Sequence, residues 1–308
     1  MRLVFAGTPD VAAISLRALI DSRHDVVGVI TRPDAERGRG RGIARSEVAN
    51  VAVEFGLHLL QPESARSPEF LAELSEISPD CCPVVAYGNL IPGSVLAVPP
   101  QGWVNLHFSL LPCWRGAAPV QSAIRHGDEI TGATTFMLDE GMDTGPILGT
   151  MTERISPTDT SGGLLDRLAH AGAGLLVSSL DALELGELSA VPQGTEGVSY
   201  APKITVDDAR VTWSQPAIGI DRTIRACTPT PGAWTMLAGE RVKLGPVAVI
   251  MDAQGMEPGV LQVSKSAVLV GTATHAVKLS TVQATGKRPM PAADWARGLR
   301  LGSAAVFS

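Results

Sequence analysis

Asn105, His107 and Ser109 fall at every second position of "GWVNLHFSLLPCWRGAAPVQ", residues 102–121, with Val104, Leu106 and Phe108 between them. Residues two apart in a strand share a face, so the spacing sets an amide, an imidazole and a hydroxyl in one row. Such a row is either an edge facing water or the wall of a reaction site. A second polar cluster, "LDEGMDTGPI" at 138–147, holds Asp143 between Gly141 and Gly145. A carboxylate beside an imidazole fixes its tautomer and raises its basicity, and an amide NH2 can donate to an oxyanion. Asn105, His107 and Asp143 together therefore suit attack of an amine on a carbonyl through a tetrahedral intermediate. No second His or Cys lies at ligand spacing, so no metal is expected. Ser109 lacks the nucleophile elbow of a covalent serine route.

These groups need a scaffold, and the first two hundred residues supply the pattern of a doubly wound, Rossmann-like parallel α/β sheet. "RLVFAG", "DVVGVIT", "CCPVVAYG", "GWVNLH" and "TGATTFML" read as strands. Helical periods lie between them, among them "PDVAAISLRALIDS", "RSEVANVAVEFG" and "PEFLAELSEI", and a long one follows from Thr160 or Ser161. Ligands of such sheets bind at the carboxyl ends of the strands. The first turn, "AGTPD", has one glycine where a dinucleotide fold carries G-x-G-x-x-G, which argues against a nicotinamide or flavin oxidoreductase.

Residues 186–206 are aperiodic and rich in Gly, Pro, Ser and Thr, and read as a linker between domains at 1–185 and 207–308. Beyond it one helix, "PAIGIDRTIRAC", is followed by short strands such as "GAWTML", "RVKLGPVAVI" and "AVKLSTVQ", then by "AADWARG". That pattern predicts a small C-terminal β-barrel, OB-like in type. The chain carries a net charge of −6, distributed as −10 over residues 1–204 and +4 over 205–308. A basic C-terminal part suits a polyanionic partner, and ordinary surface variation produces the same contrast. "TRPDAERGRGRGIAR", residues 31–45, places five arginines among three glycines, as a flexible anion-gripping loop or a solvated one. The 4 cysteines, Cys81, Cys82, Cys113 and Cys227, show neither metal spacing nor a disulfide framework and point to a reducing cytoplasm. No apolar run reaches the ~18 residues of a membrane span, and nothing demands an oligomer, so a monomer is expected.

"NLHFSLLPCWRGAAPVQ" with "DEGMDTGPI" resembles the folate-dependent formyltransferases. "FAGTPD", "RPDAERGRGR", "RTIRACTPTPGAW" and "GTATHAVKLSTVQATGKRPMPAADWARG" extend the similarity over the whole length, toward the branch acting on methionyl-tRNA. The resemblance implies transfer of a formyl group from 10-formyltetrahydrofolate to the α-amino group of methionyl initiator tRNA. It implies Asn105, His107 and Asp143 as the catalytic set. Ser109, Leu110, Leu111 and Pro112 would bind the folate, and Arg39 or Arg41 the acceptor end of the tRNA. Relatives acting on amino sugars or purine precursors share the N-terminal site, and the C-terminal motifs separate them. Three positions depart from the pattern: Phe108, expected to pack on the apolar face of its strand, Cys113, where the family often has Arg, and Thr230, where an aromatic is common.

Overall fold

Most elements expected from periodicity are present in a computed structural model, which describes residues 1–37, 42–300 and 305–308. The chain runs β1 (Arg2–Gly7), α1 (Asp10–Ile20), β2 (Asp25–Ile30), β3 (Ala35–Arg37), β4 (Gly42–Ala44), α2 (Glu47–Glu54), β5 (Leu59–Leu60) and α3 (Pro68–Ile77). It continues β6 (Cys82–Val85), α4 (Gly93–Leu96), β7 (Trp103–His107), β8 (Arg115–Gly116), α5 (Pro119–His126), β9 (Ile130–Met137), β10 (Ile147–Arg154) and α6 (Ser161–Glu184). Then come β11 (Tyr200–Ala201), α7 (Ala217–Ala226), β12 (Trp234–Leu237), β13 (Glu240–Leu244), β14 (Val247–Gln254) and β15 (Leu261–Val263). Last are β16 (Val268–Val270), β17 (His275–Leu279), β18 (Thr281–Ala284), β19 (Met290–Pro291) and α8 (Ala292–Gly298). Contacts divide the chain into one unit of Met1–Pro119, Ile130–Arg154 and Leu165–Tyr200 and a second of Val120–Glu129, Ile155–Leu164 and Ala201–Ser308.

The first unit is built on a sheet of order β10-β9-β7-β6-β1-β2-β5. β7, β6, β1, β2 and β5 pair in parallel. β9 pairs antiparallel with both β7 and β10, so the sheet is mixed, which corrects the expectation of a wholly parallel one. The 138–146 link contains no helix to carry a crossover, and β10 therefore returns beside β9 as a hairpin. β10 alternates half-buried with exposed positions at the sheet edge, without the apolar run that would signal a strand.

Local sequence explains the helix starts. Ser46 and Ser67 accept from the backbone N–H of Ala49 and Phe70, at 3.0 and 3.1 Å, and Pro68 occupies the first turn of α3. Of the two candidate caps for α6, Thr160 takes the role, accepting from Gly163 N at 3.3 Å. On β7 the expected division of faces holds. Trp103 enters the cluster containing Val4, Val84 and Leu74, while Leu106 reaches within 3.2 Å of where a side chain on Gly172 of α6 would begin. Burial pushes the Cys81 thiol up to about 12, and all four cysteines are free.

In the second unit every pairing between named strands from β12 to β19 is antiparallel, in two sheets of order β12-β13-β18-β19 and β14-β17-β16-β15. Trp213, Trp234, Trp295, Val242, Val277 and Phe307 share its core. Phe307 stacks on Trp213 at 5.5 Å, and its segment bridges to Leu237 and Val260. "RVKLGPVAVI" and "AVKLSTVQ" each divide into two strands, at Gly245–Pro246 and at Ser280. Pro246 has no N–H for a ladder, so one continuous strand is not available there.

Gly7 shows why one glycine suffices in the first turn. A Cβ there would meet Ala12 Cβ at 2.7 Å and the Val85 carbonyl oxygen at 2.9 Å. The residue serves close packing of β1 on α1 and β6. Gly7→Ala is expected to destabilise the fold by about 1–3 kcal/mol through overpacking. Urea denaturation checks this, and an unchanged midpoint would contradict the packing argument.

Candidate active site

The imidazole of His107 is the centre of the site, because its two nitrogens face different partners. His107 is 6% exposed. Its Nε2 lies 2.9 Å from the carbonyl oxygen of Trp114, which can only accept. Nε2 therefore carries the proton, and in the neutral ring Nδ1 holds the lone pair. Nδ1 in turn faces Asp143 Oδ2 at 3.7 Å, beyond hydrogen-bonding distance. Two acceptors facing each other favour uptake of a proton on Nδ1, since an imidazolium would attract the carboxylate. Burial opposes this: it holds His107 below its ordinary value, with Asp143 and the Trp114 carbonyl pulling the other way. The ring is thus neutral at rest and placed to accept a proton in passing.

Both residues that address the ring have left-handed backbones, Trp114 at φ 61° and Asp143 at φ 53°. Non-glycine residues hold such a conformation only where their surroundings impose it. Around Asp143 they do. Its Oδ2 accepts from Gly116 N at 2.7 Å, while Asp139 takes Gly141 N at 3.0 Å and Thr144 Oγ1 at 2.8 Å. A Cβ on Gly145 would collide with the Met137 carbonyl oxygen, so the loop folds this tightly onto the end of β9 only with glycine there. The route to His107 differs from that of a parallel strand. β9 is antiparallel, Leu138 N donates to Trp103 O at 2.8 Å, and the loop must double back along β7.

Asn105 is half-buried on the same strand face as His107, and its side chain makes no hydrogen bond among the described residues. Its two amide donors are free for a ligand. The alternation stops at His107, where β7 ends. Ser109 lies beyond it, fully buried, and donates to Cys113 O at 2.6 Å. Its own carbonyl accepts from Thr134 Oγ1 at 2.7 Å. Ser109 therefore shapes the turn between β7 and β8 and does not extend the polar row, a correction to the three-residue reading. Leu111 is buried as well, and Leu110 and Pro112 are half-buried. Phe108 packs inside as expected. Cys113 donates from Sγ to Gly197 O at 3.2 Å. Arg39 and Arg41 lie outside the described residues.

Sequence reading missed the part played by 186–206. Its residues up to Tyr200 belong to the first unit and pack against the site: Ser199 Oγ accepts from Trp114 N at 2.9 Å, and Gln193 bonds to both Asp143 and Arg115. The available signal was a neutral amide, Gln193, between Pro192 and Gly194. Among the described residues the one group of three or more His, Cys, Asp and Glu side chains close enough for a metal is His24, Asp181 and Glu184, away from His107.

Comparison with known proteins accords with this geometry. A formyl transferase family model matches residues 1–180, and a formyl transferase C-terminal domain model matches 203–300. The methionyl-tRNA formyltransferase of Thermobifida fusca (strain YX) is 60% identical over 307 residues, covering 100% of this chain and 99% of the relative. That of Salinispora arenicola (strain CNS-205) is 59% identical over 301 residues, covering 98% of each. Among solved structures, HypX from Aquifex aeolicus in complex with tetrahydrofolic acid superposes with a TM-score of 0.68 at 19% identity. That match takes in 98% of this chain, which spans about half the length of HypX (48%). The chain belongs to the formyl transferase family.

A lowered His107 has a consequence for stability. Between its lowered value and ~6.5 the unfolded chain binds the proton that the folded chain refuses. The stability contributed by the neutral ring is complete above about pH 6.5 and is lost as pH falls, by at most about 1.4 kcal/mol per pH unit. His24, also lowered mainly by burial, adds a slope of the same sign. Denaturant melts from pH 7 to 5 should show a shallower loss in His107→Gln than in the unsubstituted chain. Equal slopes would contradict a buried neutral His107.

Proposed function

We propose that this chain transfers the formyl group of 10-formyltetrahydrofolate to the α-amino group of methionyl initiator tRNA, giving formyl-methionyl-tRNA for translation initiation. The observation that carries the reading is the proton-accepting edge of His107, its Nε2 held by Trp114 O and its Nδ1 turned to Asp143. Relatives of nearly equal length at about 60% identity support the choice of acceptor.

The reaction needs an amine with a free lone pair, a stabilised oxyanion and a route for one proton. An α-amino group has a pKa near 7.7–8.0, and esterification lowers it, so much of it is neutral at pH 7. The amine nitrogen attacks the formyl carbon, and the carbonyl oxygen takes on charge. The unbonded Asn105 amide donates to that oxygen. His107 Nδ1 takes the proton from the attacking nitrogen, and Asp143 stabilises the imidazolium so formed. As the bond from formyl carbon to the folate nitrogen breaks, the same proton passes to that nitrogen. Asp143 Oδ1 has no hydrogen bond among the described residues and can hold a water in this path.

The arginines of the 31–45 segment, Arg39 or Arg41 among them, would grip the acceptor end of the tRNA. Residues 1–185 form the catalytic domain in this reading. Residues 207–308 form an OB-like domain that lies against the tRNA, and 186–206 join the two. The enzyme acts as a cytoplasmic monomer, and its chemistry requires no metal. The turn Ser109–Pro112 lines the folate side, with the half-buried Leu110 and Pro112 as the parts a ligand reaches.

The test is to incubate purified protein with 10-formyltetrahydrofolate and methionylated initiator or elongator tRNA, and to quantify formyl-methionine after deacylation. Formylation of the initiator alone is expected. Folate binding without formylation of either would replace tRNA by another amine acceptor. His107→Ala and Asp143→Ala should each lower kcat by at least ~10² with KM little changed. Asn105→Ala should cost ~10²–10³. Normal turnover in the His107 or Asp143 variant would overturn the mechanism.

A further inference from the structure

We propose that Gln193 is a positioning residue for Asp143, tying the loop that carries the carboxylate to the strand that carries its hydrogen-bond donor. The proposal rests on the catalytic reading of His107 and Asp143 given above. Gln193 Nε2 donates to the carbonyl oxygens of Asp143 and Gly145, both at 2.8 Å. Its Oε1 accepts from Arg115 Nε at 3.1 Å and Nη2 at 2.6 Å. The residue after Arg115 is Gly116, whose N–H holds Asp143 Oδ2. A closed ring results: Gln193 to Asp143, Asp143 to Gly116, and Gly116 through its neighbour Arg115 back to Gln193.

The chemistry of the ring requires an amide. Two carbonyl oxygens demand two N–H donors on one side, and a guanidinium demands an acceptor on the other. Glutamate would satisfy Arg115 and turn an oxygen toward two carbonyls. Arg115 is 9% exposed and has Gln193 as its only side-chain partner among the described residues. Asp139 already braces the 139–144 loop from within. Gln193 braces it from outside, at the carbonyl of left-handed Asp143 itself and at that of Gly145 two residues on. The bond to Asp143 main chain, together with that from Gly116 to its side chain, sets where the carboxylate stands relative to His107 Nδ1.

Displacement of a reacting group by ~1 Å can cost ~10²-fold, and substitutions acting through one group are non-additive. Gln193→Ala and Gln193→Glu, each confirmed as folded by thermal unfolding, should lower kcat by ~10- to 10²-fold with KM for both substrates within ~3-fold. The Glu variant keeps the volume and the Arg115 contact, and serves where Ala does not fold. Against an Asp143→Asn background the Gln193→Ala change should have less than a ~2-fold effect on single-turnover rate. An NMR titration should show His107 moving down in Gln193→Ala, because the stabilising carboxylate has drifted. Wild-type kcat in both folded Gln193 variants would overturn the proposal, as would an equal loss in both backgrounds. Normal turnover in Asp143→Asn itself would overturn the catalytic reading, and the proposal with it.

Discussion

The hydrogen bond from His107 Nε2 to the Trp114 carbonyl oxygen governs the chemistry of this site, because it decides which nitrogen of the ring is free. At 2.9 Å it fixes the proton on one edge and leaves the other edge, toward Asp143, as an acceptor. Trp114 presents that carbonyl from a left-handed backbone. That conformation is maintained by neighbouring bonds, from Trp114 N and Arg115 N to Ser199 and from Ser109 Oγ to Cys113 O. In the proposed mechanism the residue type alone does not make His107 a base; the tautomer does, and the tautomer is set by the main chain of a turn.

A second constraint is burial. The His107 ring lies against Phe136 edge-on, at 6.4 Å between centroids, and is nearly closed to solvent. Burial keeps it neutral at rest, and the carboxylate 3.7 Å away makes brief protonation tolerable. The balance suits a proton that arrives with one nitrogen and departs with another. A fully paired carboxylate–imidazole bond would hold the proton more firmly than such a transfer needs.

How much of this the sequence discloses depends on whether the controlling interaction is local. α3 is legible to the residue, since Ser67, Pro68 and a helical period all act within one turn. The pairing of faces on β7 is equally local. The direction of β9 is not, because alternation marks a strand and says nothing of which way its neighbour runs. The break at Gly245–Pro246 carried its own signal in Pro246, whereas the turn of Ser109 into its own loop depends on Thr134 from another strand. Gln193 was hidden most deeply: an aperiodic stretch reads as a linker when its order comes from side-chain bonds to distant segments. The family resemblance points to Asn105, His107 and Asp143, and the tautomer of His107 became readable only from the placement of Trp114 O.

The most direct test of the account is a nitrogen-15 NMR measurement of His107 in the free protein at neutral pH, with the resonance assigned by His107→Gln. A neutral ring protonated at Nε2 is expected, with Nδ1 showing the shift of an unprotonated nitrogen. An imidazolium, or a neutral ring carrying its proton on Nδ1, would contradict it, since no acceptor would then face Asp143.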